Sequence, residues 1–193
     1  MTKEKFLLHI CCAPCSPYPI RELKRDYDLT LFFYNPNIHP EGEYLARLAD
    51  AEKLSAIEST PLVAGEYRHD EWLAGAGVWR DEPERGRRCE FCIGMRLDET
   101  AKKAEELGIR LFGSVLSISR IKSTIMINGL GEKAMGKFAG IEFHPANWKK
   151  KDGETTSNRI SETYGLRRQT YCGCEFGVHH EKHEKARKSE TPA

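Results

Sequence analysis

The sequence contains no long apolar run. Nothing in its 193 residues approaches the ~18 apolar residues of a membrane-spanning helix. It has no excess of charge either. Lys and Arg total 30 and Asp and Glu 29, a formal net charge of +1. That balance argues against a uniformly basic nucleic-acid coat but permits a local basic patch. No internal repeat of roughly 20–50 residues is present, which excludes solenoids and propellers. Phe6-Leu7-Leu8 is too short for the apolar region of a secretory leader. The expected compartment is the reducing cytoplasm, where structural disulfides are rare.

Against these absences stand seven cysteines. A chain of this length buries roughly two-thirds of its unfolded surface and needs no covalent staples. An odd number of cysteines also fits poorly with complete internal pairing. The cysteines are therefore expected to do chemistry.

Apolar runs alternate with helical periodicity along the chain. Phe6 to Ile10, Leu29 to Tyr34, Pro61 to Ala64, Leu111 to Leu116 and Ile141 to Phe143 read as strands. A helix is expected from about Pro19 to Lys24, and others over Tyr44–Ser55, Cys89–Leu107, Ser123–Phe138 and Ser157–Tyr164. Residues 65–88 are charged and irregular and read as an insertion or lid, with some helix around Trp72. Residues 179–193 read as a charged tail, disordered or a frayed helix. The expectation is one α/β catalytic domain over residues 1–178, with a mainly parallel sheet flanked by helices. In such sheets, sites lie beyond the carboxyl ends of the strands. The Cys-Cys-Ala-Pro-Cys run after the first strand has that position.

The cysteines form three groups: Cys11, Cys12 and Cys15; Cys89 and Cys92; Cys172 and Cys174. Cys89 and Cys92 open a helix, whose free N–H groups favour anionic sulfur and are expected to lower a thiol pKa. Gly173, between Cys172 and Cys174, lets the backbone approach a metal closely. Four thiolates suit either a structural zinc or an iron–sulfur cluster. Seven exceed one zinc site, and no second C-x-x-C lies about 15–20 residues from Cys89 and Cys92, as a zinc ribbon needs. Four plus three implies one cluster and a second function.

These groups and their surroundings resemble the QueH-type epoxyqueuosine reductase family. The resemblance rests on Leu8-His9-Ile10-Cys11-Cys12-Ala13-Pro14-Cys15-Ser16, Phe33-Tyr34-Asn35-Pro36-Asn37-Ile38, Glu43-Tyr44 and Arg47. It continues through Arg88-Cys89-Glu90-Phe91-Cys92, Arg96-Leu97, Ser117-Ile118-Ser119, Lys149-Lys150-Lys151-Asp152-Gly153 and Arg168-Gln169-Thr170-Tyr171-Cys172-Gly173-Cys174. It runs from about Leu7 to Phe176. The chain departs from the family pattern at Trp148 and at Glu154-Thr155-Thr156.

The resemblance implies an adenine-nucleotide α-hydrolase-like (HUP or PP-loop-like) α/β fold. It implies an oxidoreductase that converts epoxyqueuosine to queuosine at the wobble position of tRNA with a GUN-type anticodon. This is the last step of queuosine biosynthesis, performed without cobalamin. The implied cofactors are a [4Fe–4S] cluster and a nearby mononuclear metal, expected to be iron. An external electron donor is also required. On this reading all seven cysteines surround the metals, with Cys12, Cys89, Cys92 and Cys172 favoured on the cluster. Cys11, Cys15, Asp152 and Tyr171 are the candidates for catalysis, Asp152 as a carboxylate completing the second metal site.

Other residues carry weaker expectations. Lys149, Lys150 and Lys151, with Arg85, Arg87 and Arg88, are candidates for phosphate contacts. Tyr34, Trp79, Trp148 and Tyr171 are candidates for stacking on unpaired bases. His9 reads as a packed structural histidine and His39 as a possible proton donor or ribose contact. His179, His180 and His183 invite a metal reading, weakened by their charged setting. Ser117 and Ser119 are placed to hold a ligand or to cap the next helix.

Two other functions compete for these residues. An ATP-dependent iron–sulfur tRNA-thiolating enzyme of the same fold needs a Gly- and Ser-rich phosphate loop after the first strand. Here Cys11-Cys12-Ala13-Pro14-Cys15-Ser16 stands in its place. A non-catalytic, zinc-stabilised RNA-binding module would hold zinc alone.

Overall fold

The computed structural model describes residues 2–177. Five strands form one sheet: β1 (Glu4–Ile10), β2 (Tyr27–Phe33), β3 (Leu62–Ala64), β4 (Leu111–Ser114) and β5 (Glu142–Phe143). Their order is β3-β2-β1-β4-β5. Every pairing is parallel, with Phe6 opposite both Leu29 and Leu111. Six α-helices alternate with the strands: α1 (Pro17–Leu23), α2 (Glu41–Ile57), α3 (His69–Ala76), α4 (Arg87–Glu106), α5 (Thr124–Met135) and α6 (Gly153–Thr163). No helix among the described residues is long and apolar enough to cross a membrane.

β1 shows why the sequence folds this way. Phe6, Leu7, Leu8, His9 and Ile10 are all fully buried. Successive side chains point to opposite faces. Phe6, Leu8 and Ile10 pack in one layer with residues of α1 and α2, such as Ile20, Ala51 and Leu54. Leu7 packs in the other with Leu97 and Ala101 of α4 and Ile127 of α5. A strand covered on both faces needs a continuous apolar run, which is what the sequence has. Each buried Phe or Leu here stabilises by about 1.5–3 kcal/mol.

His9 is the polar exception, and its bonding is complete. The Tyr34 carbonyl, 3.1 Å from Nε2, can only accept, so Nε2 donates to it. Nδ1 then accepts from the Ser114 hydroxyl at 3.0 Å, and Ser114 Oγ accepts from the Leu116 N–H. Burial lowers the His9 pKa to about 4, with Arg96 adding to the shift. The neutral ring joins β1, β2 and β4 where they diverge.

Most element boundaries agree with the sequence reading to within a few residues. α1 starts two residues early, at Pro17 rather than Pro19. Both prolines fall in the first turn, where the N–H groups have no intrahelical partner to lose. The expected last third of the β4 strand is a 3-10 turn, Val115–Ile118, capped by Ser114. α5 tolerates Gly131 because a Cβ there would collide with the Phe143 ring at 2.3 Å. The 65–88 segment is folded onto the body: α3 buries Trp72 completely. The expectations for residues 179–193, including His179, His180 and His183, lie outside the described residues.

Replacing His9 by Leu keeps the volume but leaves the buried Tyr34 carbonyl without its donor. The expected loss is about 1–3 kcal/mol, read as a lower urea midpoint with unchanged slope.

Candidate metal centre

The chain departs from β1 into a loop held by its own backbone. Cys12 precedes a 3-10 turn, Ala13–Cys15. The Ser16 hydroxyl donates to the Cys12 carbonyl at 2.8 Å, and Asn35 Nδ2 donates to the Ile10 carbonyl at 2.9 Å. From α6, the Ser161 hydroxyl donates to the Pro14 carbonyl at 2.9 Å. The loop contains no glycine. The Gly-rich turn that forms an ATP-phosphate cradle is therefore missing at this position.

Cys11, Cys12, Cys15, Cys89, Cys92, Cys172 and Cys174 all line one cavity, and all seven are free thiols. The cavity opens beyond the carboxyl ends of β1 and β4, the switch point of a doubly wound sheet. Cys12, Cys92 and Cys174 are buried, and the other four are partly exposed. Cys11 Sγ and Cys12 Sγ are 3.8 Å apart. A donor set of seven thiols fits a thiolate-bound metal cofactor.

Cys89 and Cys92 occupy the first turns of α4. The Arg85 amide, with φ +73°, donates to Cys89 Sγ at 3.2 Å. The expected lowering of the pKa at this helix start does not hold for Cys89. Burial pushes its thiol up, and the Arg85 amide only partly opposes that. The depressed thiols are elsewhere. Hydrogen bonds from the Cys12 and Cys15 thiols hold Cys11 well below the usual thiol range. The Cys174 thiol does the same for Cys172, down to about 6. Cys15 is pushed up to about 12, first by its bond to Cys11. Cys12 and Cys174 are also raised, by the thiolates they serve.

The last two thiols arrive on a segment with little regular structure. Arg47 of α2, almost wholly buried, secures it. Arg47 Nη2 donates to the Tyr171 carbonyl at 3.1 Å and Nη1 to the Cys172 carbonyl at 3.4 Å. Its guanidinium lies over the Tyr171 ring at 5.2 Å. Glu43 accepts from Arg47 Nε at 2.7 Å and pairs with Arg167 at 3.0 Å. Burial alone would raise the Glu43 carboxyl, but the two arginines outweigh it and hold it below its ordinary value. Gly173 adopts φ +98°, and a Cβ there would meet Ile38 at 2.8 Å. Its missing side chain admits Ile38.

Several expected contacts are differently placed. Arg88 is buried. Its Nη1 donates to the Trp79, Arg80 and Glu82 carbonyls, so it folds the 77–84 turn and cannot reach a phosphate from there. Tyr34 is buried and stacked on Phe32, so it cannot stack on a base. The Trp148 indole donates to the Ser114 carbonyl at 2.9 Å and packs on the core. Trp79 packs against Phe91. Ser117 is buried, and Ser123 caps α5 in its stead. Lys149, Lys150, Lys151 and Asp152 do not line the cavity, although Glu154 does. Tyr171 lines it as expected, with its hydroxyl donating to the His39 carbonyl at 2.6 Å.

The sequence reading assigned no cavity role to Arg96, Lys122, Arg168 or Glu154, all of which line the wall. Arg96 is buried and donates to the Cys92 carbonyl at 3.1 Å. Glu154 pairs with Arg120 at 2.8 Å. The wall carries more cations than carboxylates, which suits thiolate sulfur and an anionic substrate.

The fold and this thiol-lined cavity define a doubly wound α/β protein with the ligand set of a metal centre. Residues 6–180 match the family described as epoxyqueuosine reductase QueH. The chain belongs to that family. It is 38% identical over 176 residues to epoxyqueuosine reductase QueH of Histophilus somni, covering 91% of this chain and 72% of that protein. The Acinetobacter baylyi protein of the same name is also 38% identical, covering 91% and 81%. The Thermotoga maritima one is 35% identical over 182 residues, covering 92% and 93%.

In the metal-free protein, Cys11 and Cys172 are expected to react first with iodoacetamide, because only the thiolate is nucleophilic. Cys172 labelling should rise with pH through about 6 and then level off, while Cys15 stays unlabelled at pH 8. Peptide mass mapping checks this; Cys172 labelling that begins only above pH 8 would contradict it.

Proposed function

We propose that this chain reduces the epoxide of epoxyqueuosine in tRNA to the alkene of queuosine, with an iron–sulfur cluster in the cysteine cavity and no cobalamin. The single observation that carries this reading is the convergence of all seven thiols on one cavity, in a chain of the QueH family. Cys12, Cys89, Cys92 and Cys172 are assigned to a [4Fe–4S] cluster. Cys11, Cys15 and Cys174 remain for a mononuclear iron or for the substrate. Of the nearby carboxylates, the cavity lining favours Glu154 over Asp152 as a further ligand.

The reaction takes two electrons and two protons and releases the epoxide oxygen as water. Bound in the cavity, the cluster supplies electrons one at a time, at a potential set by burial and hydrogen bonds. The chain's own residues do the rest. Arg96 and Arg47 lie buried beside the thiols and offset their negative charge. Lys122 on the cavity wall can hold the departing oxygen as negative charge develops on it. The Tyr171 ring, fixed by Arg47 and by its bond to His39, offers a face beside the cavity for the modified base. An anticodon base must leave its stack to enter such a site. Arg85, Arg87, Lys150 and Lys151 are exposed and suit the flanking phosphates. The electrons come from an external donor.

Protein purified without oxygen should be coloured and contain about four or five irons and four sulfides per chain, in line with one cubane and at most one extra iron. Reduced and given epoxyqueuosine-containing tRNA, it should produce a nucleoside lighter by one oxygen atom in mass spectrometry. A colourless, sulfide-free protein with stoichiometric zinc would instead support the RNA-binding module. Single Cys→Ser variants divide the ligands. Changes at Cys12, Cys89, Cys92 or Cys172 should lose colour. Changes at Cys11 or Cys15 should keep colour while turnover falls by about 10–100-fold, the usual effect of disturbing a metal site's surroundings.

A further inference from the structure

Three side chains outside the cysteine cavity converge on one point. His39 lies in the loop between β2 and α2, His69 opens α3, and Glu175 follows Cys174 directly. One donor atom from each lies within 4.8 Å of the others. His69 Nε2 is 3.5 Å from Glu175 Oε2, and His39 Nδ1 is 3.7 Å from the same oxygen. None of the three lines the cysteine cavity.

The tautomer of His69 is set by its hydrogen bond. Its Nδ1 lies 2.7 Å from the Pro36 carbonyl. A carbonyl can only accept, so Nδ1 carries the proton and Nε2 of the neutral ring carries the lone pair. That Nε2 is buried and has no hydrogen-bond partner. An unpartnered buried acceptor is costly and calls for an explanation. Metal-binding histidines have this arrangement, with one nitrogen donating to a carbonyl and the other free for the ion.

The spacing points the same way. A charge-assisted bond between imidazolium and carboxylate would close to about 2.7–2.9 Å. A tetrahedral ion with ligand bonds of about 2.0–2.1 Å sets its ligand atoms about 3.4 Å apart. The observed 3.5 and 3.7 Å are near the second value and well outside the first. Two imidazoles and one carboxylate suit a divalent transition ion such as zinc, whereas calcium and magnesium prefer all-oxygen sites.

The geometry points to a second metal site in which His39 Nδ1, His69 Nε2 and the Glu175 carboxylate bind one divalent zinc-like ion. The half-exposed His39 leaves a fourth position open to water. Such an ion cross-links the loop after β2, the start of α3 and the segment that carries Cys172 and Cys174. That segment already touches the same loop, where the His39 amide donates to the Gly173 carbonyl at 2.9 Å. The ion would act as a clamp on the last two thiols. It is separate from the thiol-bound metals and does not rest on the proposed reaction.

The test uses the full chain, reconstituted with iron and sulfide without oxygen and then equilibrated with zinc. Metal analysis and zinc-edge X-ray absorption compare wild type with His69→Gln and Glu175→Gln. Wild type should hold one more zinc per chain than either variant, with a nitrogen and oxygen shell at about 2.0–2.1 Å. Zinc in the thiol cavity would announce itself as a sulfur shell at about 2.3 Å. The variants should lose the nitrogen and oxygen shell and keep the visible spectrum of the wild type. A sulfur shell alone in wild-type protein overturns the proposal, and so does equal zinc in all three. The wild-type spectrum decides the matter even if a variant fails to fold.

Discussion

One buried guanidinium holds the site together. Five of the seven thiols sit on well-anchored elements, the loop after β1 and the start of α4. The other two lie on a segment that, among the described residues, joins no strand. Arg47 bonds two consecutive main-chain carbonyls of that segment, stacks on Tyr171 and is itself fixed by Glu43. An arginine can do this because its planar fork presents several donors at fixed angles. A lysine would offer a single point charge. The side chain is buried, so any loss of its partners leaves a desolvated charge, which makes the arrangement close to all-or-none.

Charge explains the rest of the cavity. The chain is nearly neutral, yet around the thiols the cations outnumber the carboxylates. Cys11 and Cys172 are depressed because neighbouring thiols donate to them, and Lys122 contributes to both shifts. Their donors, Cys12 and Cys174, rise in turn. The site thus holds thiols in unequal states before any metal arrives. A neutral protein can bind an anion in this way at one place without being sticky everywhere.

The fold was legible where one physical rule dominates. Phe6 to Ile10 reads as a short buried strand because the run is apolar except for His9, and the 3.6 period over Tyr44–Ser55 located α2. The three cysteine groups pointed to one site because their residue type is so restricted in use. Legibility failed where a side chain's role is set by partners far along the chain. Arg88 sits in a run of arginines that reads as surface, and only the carbonyls of Trp79, Arg80 and Glu82 show that it is interior. Tyr34 reads as a stacking platform until Phe32 is seen beneath it. Arg47 and Lys122 are 75 residues apart in number, and no local pattern joins them to the cavity. Asp152 was suggested by an adjacent motif, whereas Glu154, two positions on, reaches the wall because α6 turns it inward.

The spread of the thiols along the chain has a consequence for biogenesis. The first is residue 11 and the last residue 174 of 193. During synthesis, domains form from the amino end as the chain emerges. Here β1, α2 and α4 can assemble while the Cys-Gly-Cys segment is still inside the ribosome. The cavity then has one open wall and five thiols without their full complement. Metal delivered at that stage would meet five of the seven cavity thiols. A chain stopped before Cys172 would carry the sheet without the last two thiols of the cavity.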